Sequence, residues 1–260
     1  MADADFPIWF LYLFHSLIQM LTSFVIYVVF AGAFFLLFWV WGRNKMRWRR
    51  IQPGAENKPH FFSHDLYFSA INILFSGLMV GFLMMMAEQG ETQIYTDINK
   101  YSVLWLPVQF LLVVVVQDSY FYWVHRFMHH PRWFHIIHKV HHKSTDPSPL
   151  SIFSFHPFET IIEALPSLIL PFIFPLYLAV FLIWQLFDLF NNLFAHLGYE
   201  IYPKNWVRIP FLKYKTASTH HNLHHEKFNG NYGLYFTFWD KWMKTEIAEY
   251  ESKFDKVTGK

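Results

Sequence analysis

The amino-acid sequence predicts an all-α integral membrane fold: three spanning helices, one helical hairpin and a helical cap on the cytosolic side. Hydrophobic residues make up 54% of the chain and charged residues only 15%, whereas soluble domains contain about 25% charged residues. Several uncharged stretches also reach the ~20 residues that a helix needs to cross a bilayer. The 260 residues are enough for one domain, which we place at 1–260.

The first three spans follow from uncharged stretches of sequence. Residues 6–42 contain no charged side chain and are long enough for a span at about 19–41 preceded by a short interfacial helix. The second span is predicted at 66–87. The third is predicted at 102–124 and includes one acidic residue, Asp118.

A helical hairpin is predicted at 160–198. The surrounding stretch contains no Lys or Arg, and it is about twice as long as one span. Pro166, Pro171 and Pro175 interrupt it, so we expect two helices that enter the bilayer and return to the same side. The alternative is a pair of long buried helices in a soluble protein.

Basic residues predict the orientation. Five of them directly follow the first span, which favours a cytoplasmic location for that end: Arg43, Lys45, Arg47, Arg49 and Arg50. The amino terminus and the acidic loop after the second span then lie outside. The third span and the hairpin return the chain to the inside, so both parts of the cap, 125–157 and 199–245, are expected there.

Sixteen histidines, most of them in about one third of the chain, are the main functional signal. The clusters are His125-x3-His129-His130, His138-x2-His141-His142 and His220-His221-x2-His224-His225, with His196 before the third. Residues i, i+3 and i+4 share a helix face, so each cluster is expected to present two or three imidazoles to a common point. Neutral imidazole binds zinc, copper, iron and nickel.

The number of imidazoles predicts two metal ions, because nine exceed what one ion can accept. The predicted ligands are His125, His129, His138, His141, His142, His196, His221, His224 and His225. Asn192 lies one turn before His196 and is a further candidate ligand, directly or through water. Spacing favours His221 over its neighbour His220.

The other histidines and five carboxylates are predicted to have different roles. Surface or structural roles are expected for His15, His60, His64, His130 and His135, while His156 is expected to support the ligands. Carboxylates should orient the ring N–H groups of the ligands. The candidates are Asp118, Glu159, Asp188, Glu200 and Asp240. Asp118 shares a face with His125, although it could simply lie at the membrane interface.

Composition and motifs argue against several other classes of protein. A formal net charge of +2, without a basic run interleaved with aromatic residues, gives no support for nucleic-acid binding. The chain has no cysteine, which removes disulfides, iron–sulfur clusters and thiolate zinc sites. A zinc membrane hydrolase would need only three ligands and a glutamate base, but His-Glu-x-x-His is absent. A metal transporter would hold its ligands near the bilayer midplane, and a bis-histidine haem carrier would hold them on facing spans.

These motifs resemble the fatty acid hydroxylase/sterol desaturase superfamily of membrane di-iron oxidases. The resemblance covers roughly residues 115–245 and extends beyond the histidines. It is closest to the sterol C5-desaturase branch and its bacterial relatives. The matching segments are 118–126 (DSYFYWVHR), 129–131 (HHP), 138–143 (HKVHHK), 147–149 (PSP), 155–159 (FHPFE) and 229–240 (NGNYGLYFTFWD).

The resemblance implies an enzyme with two iron ions, O2 as oxidant and an external electron donor of the cytochrome b5, ferredoxin or reductase type. Zinc could replace iron during expression. The implied reaction is desaturation or hydroxylation of a membrane lipid, with a sterol-like or polycyclic isoprenoid substrate favoured and a fatty-acyl or ether lipid as the alternative. Asn192 stands where the acyl-hydroxylase branch has a further histidine. A bacterial inner membrane is favoured over the ER, and the oligomeric state stays open.

Overall fold

The computed structural model describes residues 6–54 and 61–259, and most of them are helical. Eight helices are present in this part of the chain. They are α1 (Ile8–Trp41), α2 (Phe62–Glu88), α3 (Trp105–Met128), α4 (Pro157–Ile173), α5 (Leu178–Ala195), α6 (Ser218–Lys227), α7 (Phe238–Met243) and α8 (Tyr250–Thr258). Two-residue strands, β1 (Ile94–Tyr95) and β2 (Leu176–Tyr177), pair in parallel.

Four of these helices, α1, α2, α3 and α5, are long and apolar enough to cross a membrane. Their outer faces expose large apolar side chains, such as Trp9 and Leu17 of α1, each 65% exposed. Contiguous apolar surface on this scale is typical of contact with lipid. The predicted all-α membrane fold is therefore confirmed.

The first span differs from the expectation, because the predicted interfacial helix is continuous with it. The structure has one continuous helix of 34 residues, with π-helical stretches at Tyr27–Ala31 and Phe35–Trp41. Neither proline nor a charged side chain interrupts it. At ~1.5 Å per residue it is about 50 Å long, which exceeds the ~30 Å hydrocarbon core.

Close packing joins α1 to α2 through two glycines, Gly77 and Gly81, one turn apart. A Cβ at Gly77 would lie 2.3 Å from a side-chain atom of Met20, and one at Gly81 would lie 2.3 Å from Ser16. Small residues at this spacing allow the backbones of two membrane helices to approach. They fix α1 against the remaining spans.

The hairpin consists of α4 and α5, joined at Phe174 to Tyr177. Pro166 and Pro171 lie inside α4, so only Pro175 falls in the turn. Strand β2 at this turn pairs with β1, which lies in the loop between α2 and α3. The turn therefore lies at the end of the helices opposite His125 and His196, which places these two histidines at the same end.

The cap is built mostly from short turns rather than long helices. Single turns occur at Pro131–Trp133, Phe134–His138, His141–Lys143, Pro149–Ser151, Trp206–Arg208 and Leu212–Tyr214. Helices α6, α7 and α8 complete it. A buried cluster that includes Leu223, Tyr250 and Phe254 packs α6 against α8, and this packing holds the histidines of α6 in place.

Candidate metal centre

The structure brings all nine predicted ligands together, in two groups. The first group is His125, His129, His138, His142 and His224. The second group is His141, His196, His221 and His225. Within each group, one ring nitrogen per residue lies within 4.8 Å of the others.

The groups do not follow the sequence clusters. His138 and His142 belong to the first group, whereas His141, between them, belongs to the second. In α6, His224 belongs to the first group, and both His221 and His225 belong to the second. The expectation that each cluster faces one common point holds for His125 and His129. It was wrong for the other two clusters, because adjacent residues of a turn point in different directions. Each of these two segments thus contributes to both groups.

Helix ends position the remaining ligands. His125 lies in the last turn of α3 and His129 at its C-cap, while His196 is the C-cap of α5. At the start of α6, Glu200 accepts hydrogen bonds from the backbone N–H and the hydroxyl of Thr219, at 2.9 and 2.7 Å. Glu200 therefore caps the helix that supplies ligands to both groups.

Four ligand rings are oriented by hydrogen bonds from Nδ1 to an oxygen atom. The acceptors are the carbonyl of Tyr232 for His125 (2.9 Å), Glu159 for His138 (2.6 Å), the carbonyl of Asn192 for His196 (2.9 Å) and the carbonyl of Gly230 for His224 (2.7 Å). In a neutral ring that donates from Nδ1, the Nε2 atom presents a lone pair. These lone pairs point into the groups.

The Nε2 atoms of His125 and His138 show why the groups require cations. They lie 3.0 Å apart, yet both rings donate from Nδ1, so two lone pairs face each other. The Nε2 atom of His224 is buried and has no hydrogen-bond partner among the described residues. A metal ion between such atoms would satisfy them all.

Burial keeps the imidazoles neutral, as metal binding requires. Loss of hydration lowers the pKa of His196 to about 4 and the pKa of His129 to about 2. The same cause, with repulsion from neighbouring imidazoles, holds the pKa of five more ligands well below the usual value: His138, His141, His142, His224 and His225. Burial and repulsion from neighbouring imidazoles also hold the pKa of His221 well below the usual value.

The spacing of the nitrogens also fits one ion per group. Metal–imidazole bonds of about 2.0–2.1 Å place neighbouring ligand nitrogens about 3 Å apart and opposite ones about 4 Å apart. In the first group, the Nε2 atom of His142 lies 3.0 Å from those of His129 and His138. In the second group, the Nε2 atom of His221 lies 3.2 Å from that of His196 and 3.0 Å from that of His225.

Among the candidate carboxylates, only Glu159 has a described contact with a ligand ring, that of His138. Asp118, expected to orient His125, instead accepts hydrogen bonds from the backbone of Tyr235 (2.7 Å) and Phe236 (3.1 Å). It acts on the loop after Gly230 rather than on an imidazole.

Asp240 and Asp188 also support the histidine groups indirectly, through the loop after α6. Asp240 accepts hydrogen bonds from the backbone N–H groups of Tyr232 (2.9 Å) and Gly233 (2.8 Å), and so fixes the carbonyl that orients His125. Asp188 accepts a hydrogen bond from the hydroxyl of Tyr235, at 2.6 Å.

The histidines not predicted as ligands lie outside both groups. His156 accepts a hydrogen bond from the backbone N–H of Phe158 and caps α4, with no described contact to a ligand. His220 is fully buried, but its Nε2 atom lies 3.5 Å from Asp240 rather than in a group. Exposed positions are occupied by His130 and His135. His15 contacts Glu88, and His64 lies 3.5 Å from Asp65. His60 is outside the described residues.

Asn192 does not point its amide nitrogen at the ligands. This nitrogen donates to the carbonyl of Ile152 at 2.9 Å, and the backbone carbonyl of Asn192 orients His196. Its side chain lines a cavity beside both groups. The role as ligand that was considered for Asn192 stays a proposal.

The cavity has a volume of about 200 Å³ and lies between α2, α3, α4 and α5. Five predicted ligands line it: His125, His138, His141, His196 and His221. Phe153 and Phe155 form part of its wall. Polar side chains of α4 and α5 also line it at intervals of three or four residues, and three of them, Glu163, Ser167 and Gln185, had no predicted role.

These observations define a membrane protein with two groups of histidines at one end of its helices. Comparison with known proteins identifies its family. The family model described as fatty acid hydroxylase matches residues 110–245, just over half of the chain. The chain belongs to the fatty acid hydroxylase family, within the predicted fatty acid hydroxylase/sterol desaturase superfamily. No solved structure is detectably similar.

Curated relatives include sterol-modifying enzymes. Lathosterol oxidase of Mus musculus is 32% identical over 183 residues, which is 69% of this chain and 59% of the relative. The Delta(7)-sterol 5(6)-desaturase of Gibberella zeae is 30% identical over 164 residues, which is 62% of this chain and 48% of the relative. The chain thus spans about half to three fifths of the length of these relatives.

Proposed function

We propose that the chain is an O2-dependent lipid oxidase that holds two iron ions, one in each histidine group, and breaks a C–H bond of a membrane lipid. The supporting observation is the set of imidazole lone pairs that face one another at about 3 Å, above all those of His125 and His138. Cations between these nitrogens would stabilise such a set. Sterol oxidases and desaturases among the relatives support an oxidoreductase.

The iron ions would supply the reduction of O2 that makes an unactivated C–H bond reactive, which no amino-acid side chain can do. The protein supplies orientation: carbonyls and Glu159 fix four rings before a metal arrives. It also supplies a neutral, water-poor environment, because burial disfavours protonation of the imidazoles. Desaturation consumes two hydrogen atoms of the lipid, O2, two electrons and two protons, and releases two water molecules.

The two electrons require an external donor, since the chain has no cysteine for an iron–sulfur cluster. We propose a cytochrome b5, a ferredoxin or a reductase as the partner. The donor would approach the cap, because the opposite ends of the helices lie farther from both histidine groups.

A sterol-like or polycyclic isoprenoid lipid is the proposed substrate, and the sterol enzymes among the relatives support it. A fatty-acyl or ether lipid is the alternative. Lipid mass spectrometry of cells with and without the protein tests both. We expect one lipid class to lose two hydrogen atoms or gain one oxygen atom. Unchanged lipid profiles, with the protein present and metal-loaded, would contradict the proposal.

Two metal ions per chain are expected in the purified protein, measured by elemental analysis. Zinc in place of iron would agree with the site, because imidazole-rich sites take up zinc readily. One metal or none at full occupancy would contradict the two-group assignment.

We propose that the metal site faces the cytoplasm, in a bacterial inner membrane rather than the ER. The amino terminus would lie outside, with 43–65, 125–157 and 196–260 inside. The pairing of β1 with β2 supports only the placement of the hairpin turn opposite the metal end, since it places the turn beside the loop between α2 and α3. Reporter fusions after Gly90 and at the carboxyl terminus should report opposite sides, and reports from the same side would overturn the topology.

A further inference from the structure

The cavity beside the histidine groups has a polar wall within the spanning part of the molecule. It includes Gln117 of α3, Glu163 and Ser167 of α4, and Gln185 and Asp188 of α5, and Asn72 and Ser76 of α2 also line the cavity. The members in α4 and α5 continue lines of polar residues that run from the metal end along each helix. In α5 this line is Gln185, Asp188, Asn192 and His196, and in α4 it is Glu159, Glu163 and Ser167.

Polar and ionisable side chains at membrane depth are costly and mark functional sites. These residues of α3, α4 and α5 face one cavity from three helices, and Gln185 donates a hydrogen bond to the hydroxyl of Ser167 at 3.3 Å.

Gln117 supplies an independent indication of a ligand. The residue is 6% exposed and lines the cavity, yet its Oε1 atom has no hydrogen-bond partner in the described part of the chain. An unsatisfied buried amide oxygen costs about 1–3 kcal/mol. A hydrogen-bond donor on a molecule in the cavity would remove this cost.

The carboxyl groups of the wall define the chemistry of that donor. Glu163 and Asp188 both face the cavity, and no Lys or Arg is found among the described residues that line it. Asp188 already accepts one hydrogen bond, from Tyr235, and its second oxygen remains for a ligand. Two carboxyl groups and one amide oxygen favour a molecule that donates hydrogen bonds, and a buried anion would find no cation here to pair with.

We propose that Gln117, Glu163 and Asp188 bind the hydrogen-bond-donating polar group of the lipid substrate, a hydroxyl or an ammonium, and exclude lipids with a free carboxylate. This inference rests on the proposed function, which makes the cavity the substrate site. It narrows the substrate class to alcohols, sterols and amines with long apolar bodies.

The position of the polar wall also limits where the reaction occurs. Gln117 precedes His125 by eight residues of one helix, which is about 12 Å at ~1.5 Å per residue. Asp188 precedes His196 by the same number of residues. A lipid held by its polar group at this depth would present to the histidines a carbon several bonds away, rather than the carbon that bears the polar group.

Photo-crosslinking of the full-length protein in lipid nanodiscs tests the proposal without measuring turnover. Diazirine-bearing hexadecanol, hexadecylamine and hexadecanoic acid serve as probes, and mass spectrometry locates the labelled peptides. We expect the alcohol or the amine to label α4 and α5, with at least about tenfold less labelling by the acid. The double variant Glu163→Leu/Asp188→Leu should reduce this labelling about tenfold, and Gln117→Leu should reduce it several-fold. Each variant removes hydrogen-bond acceptors of the protein that would bind the polar group of the probe.

Two further variants separate hydroxyl from ammonium recognition and provide the control. Glu163→Gln keeps an acceptor but cannot ionise beside an ammonium, so it should reduce labelling by the amine and spare the alcohol. Glu88→Gln changes a carboxylate outside the cavity and should leave labelling unchanged. Equal or stronger labelling by the acid, or unchanged labelling in the Leu variants, would overturn the proposal. Metal content, measured on the same samples, tests the two-metal function separately.

Discussion

The two histidine groups differ in how they are enclosed. In the first group, His129 is partly exposed, and the rings of Phe134 and Phe228 lie over the group on the side of the cap. All four members of the second group are buried. One group therefore adjoins the surface and the other lies wholly inside, although they share two chain segments.

The groups also depend on different supports. Two carbonyls of the loop after α6, those of Gly230 and Tyr232, orient rings of the first group, and Asp118 and Asp240 hold this loop. In the second group, the described support is the backbone of Asn192, inside α5. We infer that the first group is the more easily disturbed.

The largest effect should come from single ligands of α6. His221→Ala should remove the metal of the second group and His224→Ala that of the first, although the two residues are one turn apart. Loss of a residue that hydrogen-bonds to a metal ligand costs about 10–100-fold in metal affinity or activity. Loss of a ligand itself should therefore reduce turnover more than about 100-fold. Elemental analysis and lipid turnover measure both effects.

His220→Ala is the matched control in the same helix. This residue is equally buried but contacts Asp240 rather than a group. Two metals per chain should remain, with a lower melting temperature as the only change. If His220→Ala lost a metal while His221→Ala kept two, the assignment of α6 to the groups would be wrong.

A smaller effect is expected from Glu159→Gln. The variant keeps an acceptor for His138 but removes the negative charge 2.6 Å from its Nδ1 atom, which lowers the basicity of the ligand. Metal affinity of the first group should fall about 10–100-fold, and that of the second should stay unchanged. Competition with a chelator of known affinity measures both sites in one titration, so the second group serves as the internal control. Equal weakening of both sites would contradict the separation of the groups.

Much of this architecture could be predicted from the sequence, because membrane spans and histidine spacing are local signals. Apolar runs predicted three spans and the hairpin that contains the fourth long apolar helix, and i, i+4 spacing favoured His129 over His130 and His221 over His220. The partition of the ligands could not be predicted in this way. It depends on the turns around His138 and His141, which are not one regular helix.

The polar wall of the cavity was also missed, for a different reason. Glu163 lies in a stretch that was assessed only for span length and for the absence of Lys and Arg, and Asp188 was considered only as a carboxylate that orients a ligand ring. Their spacing from Glu159 and His196 was the available signal, since it places them on the faces that bear the metal site. Which faces of α4 and α5 meet around a cavity depends on tertiary packing, which one sequence does not specify.

The smallest effect in this series should come from Phe228, which distinguishes the groups by access alone. Its ring lies 4.8 Å from that of His142 and 5.9 Å from that of Phe134, and its φ of 67° is in the left-handed region that favours glycine. Phe228→Gly therefore opens the first group without backbone strain. Metal release to an excess of chelator should have two phases, and only the faster phase should accelerate, by a few-fold. Phe228→Tyr keeps the ring and should release metal at the original rate. Acceleration of both phases would show that the two groups share one route to solvent.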